Sequence, residues 1–258
     1  MPLYKKFGLS SQVFSKDSFE HFQKMLLTYL NKKPPHIDLV SSYKQSLVSD
    51  SSWLCFWYYM VDEKDRIAHY ARPMFDYALD YFFGEWRKTT PVDGKIGEEF
   101  VKRVELWISE FRNSILWASV LGEWEKAKEI SRYLDELTMF AQQWETKEKK
   151  AWYTLLAIYL REGNLNGAAN YIELIENGKK KREKLLLNVL RTIIARSADR
   201  FTKEFKIYIK YYKSHEFTQR SVPEKLAIDG TILFNLAKHK GIDVTFPKEY
   251  IDHYIFLD

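Results

Sequence analysis

Residues 121–127 read LGEWEKA, and 41 residues further on residues 162–168 read EGNLNGA. In each, a glycine is followed five residues later by an alanine, and apolar residues recur about every 3.6 positions on either side. Gly122 and Gly163 can take the left-handed backbone conformation that ends a helix, and Ala127 and Ala168 are small enough to let the next helix approach closely. A link this brief makes its two helices antiparallel neighbours, so the pair predicts helical hairpins. Tetratricopeptide repeats have a period of about 34 residues. The longer spacing here predicts a degenerate relative: an all-α chain of stacked antiparallel hairpins, solenoid-like, with a short extended C-terminal tail. A third hairpin, turning near Ser197 to Arg200, has no glycine at its turn.

Toward the N-terminus, helices are predicted over Glu98–Leu121 and Trp124–Trp144, joined at Gly122. The run Thr89-Thr90-Pro91-Val92-Asp93-Gly94 is built of turn residues. It divides an N-terminal helical part, 1–92, from a C-terminal hairpin part, 93–258, expected to pack as one continuous unit. In the first part, Asp17-x-x-Glu20 predicts the start of an amphipathic helix that ends before Pro34 and turns Phe19, Phe22, Leu26, Leu27 and Leu30 toward the core. A short helix over Ile37–Leu47 follows, and Ser49–Ser52 offers an N-cap for another that carries Trp53, Phe56, Trp57 and Met60. Between Lys64 and Trp86 the periodicity is helical, and Pro73 is expected to kink that helix or start a new one.

Toward the C-terminus, residues 179–213 hold 12 Lys/Arg against 3 Asp/Glu, a surplus of +9 in a protein whose net charge is +5. Charge this uneven bears on partners rather than on fold. Leu185, Leu186, Val189, Leu190, Ile193 and Ile194 form the face expected to pack on the preceding hairpin. Arg191, Arg196, Arg200, Lys203, Lys206 and Lys210 fall off that face or at its margin, and are the candidate partner-binding residues. A last helix is predicted from Ser221-x-x-Glu224 to Lys240, closed by Gly241. The apolar content of the tail, IDVTFPKEYIDHYIFLD, predicts that it folds back on the helices.

The composition, 46% hydrophobic and 29% charged, belongs to a folded chain. Cys55 is its one cysteine, so no intrachain disulfide can form. The N-terminus lacks the apolar core of a signal peptide, and the run Trp53–Val61 is far too short to span a membrane. A cytoplasmic location is expected. Neither metalloprotease, phosphate-loop, dinucleotide-binding nor serine-nucleophile spacings occur, and the six histidines are scattered singly. Asp76 and Asp80 come nearest to metal-ligand spacing, and on a helix surface they read as a solvated pair. The expectation is no catalytic residue, no metal, no cofactor and no small-molecule substrate.

In the C-terminal region, Ile228-Asp229-Gly230, Leu233-Phe234, Ala237, then Gly241-Ile242-Asp243-Val244 and Pro247 with Tyr250, resemble the closing segment of bacterial immunity proteins of the immunity 49 family, from polymorphic toxin systems. The resemblance extends over about residues 185–254, and Tyr70-Ala71-Arg72-Pro73 with Phe82-Phe83 is compatible with the helical N-terminal half of that family. It implies a non-enzymatic protein that binds and neutralises one cognate toxin. Two alternatives stand beside it: a helical-repeat adaptor for a peptide or protein, and a nucleic-acid-binding regulator, which basic helices also suit. A second, acidic surface exists as well, since Glu98–Glu145 holds ten acidic and six basic residues.

Overall fold

The computed structural model describes residues 2–34, 39–86, 108–132, 146–217 and 225–257. Among the described residues no strand forms and the regular structure is helical, so the chain is all-α. The main helices are α1 (Lys16–Asn31), α2 (Val40–Val61), α3 (Ile67–Phe83), α4 (Ile108–Leu121), α5 (Trp124–Ile130), α6 (Lys147–Glu162), α7 (Ala169–Asn177), α8 (Lys181–Ile194), α9 (Ala198–His215) and α10 (Ile228–His239). The chain forms two compact units, Met1–Trp117 with Glu136–Gln142, and Ala118–Asp135 with Gln143–Asp258. The Thr89–Gly94 loop, the first half of the Glu98–Leu121 helix, the second half of the Trp124–Trp144 helix and the Ser221–Glu224 cap lie outside the described residues.

In the first unit α1 is capped by Ser15, whose Oγ accepts the Ser18 N–H at 3.2 Å. Asp17 already lies inside the first turn, so the Asp17-x-x-Glu20 pattern is not the cap. The break expected at Ser49–Ser52 does not occur, and α2 runs through it without interruption. Leu47 and Val48 before the serines and Leu54, Cys55 and Phe56 after them are all buried, which outweighs the weak preference of serine for helix ends. Ser52 instead accepts the Trp117 indole N–H at 3.3 Å in the core. Pro73 is carried inside α3 as a single helix. Leu27 and Leu30 of α1, expected in the core from their spacing, are 52% and 44% exposed.

In the second unit Gly122 and Gly163 have φ of 71° and 72°, and Ala127 and Ala168 are fully buried, as the two turns require. The third turn forms without glycine. Arg196 takes φ 50°, its N–H donates to the Ile193 carbonyl and that of Ser197 to the Thr192 carbonyl, each at 3.1 Å, the paired bonds of a left-handed helix end. α6 with α7 and α8 with α9 therefore form successive hairpins. α10 passes close to α9 at Gly230, where a Cβ would meet Ile209 Cδ1 and Tyr208 Cε1 at 3.1 Å. The tail is irregular over 242–247, turns through a 3₁₀ helix at Lys248–His253, and folds back with Phe246, Tyr254 and Ile255 buried. The His253 carbonyl accepts the Ala227 N–H at 2.8 Å, and Thr231 Oγ1 accepts the Ile255 N–H at 3.2 Å.

Candidate functional site

The hairpin of α8 and α9 is built by two apolar faces turned to one core. Leu185, Leu186, Val189, Leu190 and Ile193 of α8, and Phe201, Phe205, Tyr208, Ile209 and Tyr212 of α9, are all buried. Helical geometry then forces the residues out of phase with them toward solvent. Arg191, Arg196, Arg200, Lys203, Lys206 and Lys210 are all exposed. On α9, Arg200, Lys203, Lys206 and Lys210 succeed one another at steps of three or four and make one cationic stripe.

The structure brings three of the six together. Arg191 from α8 and Arg200 and Lys203 from α9 line a shallow depression of about 390 Å³ with Asn188, Thr192 and Glu204. Arg191 is also held by Glu176 of α7, with Nη2 2.7 Å from Oε1. Arg196 sits at the turn, while Lys206 and Lys210 continue the stripe beyond the depression.

Two apolar side chains of this hairpin are exposed as well. Ile207 is 43% exposed and Ile194, expected to pack inward, is 39% exposed. The signal was present for Ile207: it is out of phase with the buried series at 201, 205, 208, 209 and 212. Further along the same hairpin Lys181 lies over the Tyr211 ring, 5.7 Å from its centroid.

One basic residue of the segment is withdrawn from the face. Arg182 reaches inward, where Nη1 donates to Glu183 Oε1 at 2.9 Å, Nη2 to Asp229 Oδ2, and Nε lies 3.1 Å from Glu216 Oε1. Asp229, 3% exposed, also accepts the Trp152 indole N–H and the Tyr153 hydroxyl, both at 3.3 Å. This network ties α6, α8, the end of α9 and α10 to one guanidinium. Burial pushes the Glu216 carboxyl above the usual carboxylate range, opposed by Arg182. Burial likewise raises the Tyr208 phenol beside it. Asp229 carried a readable signal, a charge inside the apolar run Leu226–Ala237, because a buried charge must be paired.

The loop before α8 is held from α6: Glu148 Oε1 accepts the Lys179 N–H at 3.0 Å, and backbone N–H donors, its own first, keep the Glu148 carboxyl below its ordinary range. Of the Asp76/Asp80 pair, Asp80 forms a part-exposed ion pair with Lys44. Among the described residues, no group of three or more His, Cys, Asp or Glu is arranged to hold a metal ion, and no helix is long and apolar enough to cross a membrane.

Comparisons with protein-family models, with curated proteins and with solved structures each return no match.

Proposed function

We propose that this chain is a cytoplasmic, non-enzymatic immunity protein that binds one cognate bacterial toxin stoichiometrically and neutralises it, with the basic face of α8 and α9 as the contact surface. The observation that carries the binding reading is one hairpin that exposes six cations, three of them around a single depression, with Ile207 exposed beside them on α9. The resemblance of residues 185–254 to immunity proteins supports a toxin as the partner. Cations at the rim steer an acidic partner into place, and buried anchors hold it. Blocking a toxin inside a cell needs roughly nanomolar affinity, about 12 kcal/mol, within reach of a protein interface of about 1,600 Å². Neutralisation then follows from covering the toxin's active site or from locking its fold.

The test is growth. The protein encoded immediately upstream is expressed in a susceptible cell with and without this chain. Arrest alone and recovery on co-expression support the proposal, and a toxicity that this chain leaves unrelieved overturns it. The adaptor reading draws on the successive hairpins of the second unit. An adaptor binds several ligands at micromolar affinity, an immunity protein one at nanomolar affinity, so an affinity series against unrelated partners separates them.

A further inference from the structure

The basic face is more than a uniform field of charge. The depression lined by Arg191, Arg200, Lys203, Asn188, Thr192 and Glu204 sits at one end of the seam between α8 and α9, with three cations to one carboxylate. Ile207 follows Lys203 by four residues and Arg200 by seven, so it stands on the same side of α9 about 6 and 10 Å further along its axis. Tyr211, beneath Lys181, comes one turn beyond that. The spacing 200, 203, 207, 211 is that of one helix edge, and a second helix laid along it presents its side chains at the same intervals.

Resting on the reading of this face as a protein contact, we infer that its occupant is an acidic amphipathic helix, seated with carboxylates in the Arg191/Arg200/Lys203 depression and an apolar side chain against Ile207. Arginines on two helices fit a carboxylate with directed pairs of donors. The exposed isoleucine selects a protein over a nucleic acid, since a phosphate backbone offers nothing that gains from burying it. The six cations then divide in role. Arg191, Arg200 and Lys203 hold the partner and set its dissociation, whereas Arg196, Lys206 and Lys210 stand around the seat and steer its approach.

The experiment uses the full chain and three dye-labelled probes read by fluorescence anisotropy at low and moderate salt. The first is a Glu-rich helical peptide of about 21 residues with Glu at i and i+3 and Leu at i+7, matched to the seam spacing. The second has Ser in place of that Leu, and the third is a single-stranded oligonucleotide of equal charge. The Leu peptide is expected to bind about tenfold more tightly than the Ser peptide, and Ile207→Ser to erase that difference while leaving the Ser peptide's affinity unchanged. Lys206→Ala with Lys210→Ala slows association, and Arg200→Ala with Lys203→Ala speeds dissociation. Equal affinity for the two peptides overturns the seated helix but leaves a basic face that binds acidic protein. Failure of both peptides, or tighter binding of the oligonucleotide, overturns the protein-contact reading as well. Ile207 is exposed, and circular dichroism of the serine variant checks that its fold is intact.

Discussion

Replacing Arg182 with methionine removes the one cation that Glu183, Asp229 and Glu216 share. Asp229 is 3% exposed and the Arg182 side chain 16% exposed, so water has little access to the charges left behind. Breaking a buried ion pair from one side costs about 3–5 kcal/mol, because the orphaned charge stays buried. Trp152 and Tyr153 still donate to Asp229, which offsets part of that cost, and about 3 kcal/mol remains. At about 2–4 °C per kcal/mol, the midpoint should fall by about 6–12 °C. The assay is thermal melting followed by circular dichroism, run on Arg182→Met, on Asp229→Asn and on the double variant. The double variant should lose less than the two single losses added together, since Asp229→Asn removes the charge that Arg182→Met strands. A shift under about 2 °C for Arg182→Met, or strict additivity, refutes the claim that one guanidinium binds these four helices together.

Arg196 holds a left-handed conformation in which glycine is at ease, so Arg196→Gly should stabilise the α8–α9 turn by about 1 kcal/mol in urea titration, and Arg196→Val should lower it. Gly230→Ala should cost about 1–3 kcal/mol, because its methyl group meets Ile209 and Tyr208 at 3.1 Å where α9 and α10 approach; an unchanged melting midpoint would show that these side chains yield freely. Burial raises Asp50 to about 6, against the pull of His21. A carboxyl raised on folding gives stability below its unfolded value that is lost as pH rises through about 6, so Asp50→Asn should stabilise the protein at pH 7 and not at pH 4. With part of the group in solvent, a gain on the order of 1–2 kcal/mol is expected, and an equal gain at both pH values would refute titration as its cause.

The hairpin turns were legible because glycine is a local signal: Gly122 and Gly163 announce the left-handed ends they form. Arg196 does the same work at φ 50° with nothing in its chemistry to announce it, and Asp62 does it at 71°, where the short polar side chain of aspartate gives only a weak signal. What holds them there is the packing of the helices on either side, which is not local. The same distinction explains α2, where Ser49–Ser52 reads as a break and burial of Leu47, Val48, Leu54 and Cys55 keeps the helix whole. Periodicity gave the buried face of α8 at Leu185, Leu186, Val189, Leu190 and Ile193, yet it placed Leu27, Leu30 and Ile194 inside, since phase tells which residues could face a neighbour and not whether the neighbour reaches them. The basic face was readable from composition. That Arg182 leaves it for Asp229, 47 residues away, depends on the tertiary fold.

The most direct test of a functional basic face is a titration of the purified upstream-encoded protein against this chain and against a variant with Arg191, Arg200, Lys203 and Lys206 changed to glutamate. The account predicts roughly nanomolar binding by the native chain, weakened at least about a hundredfold in the variant as four attractive charges become repulsive. Equal affinity, with the variant's fold intact by circular dichroism, would mean that these cations are only a solvated surface and that the partner binds elsewhere.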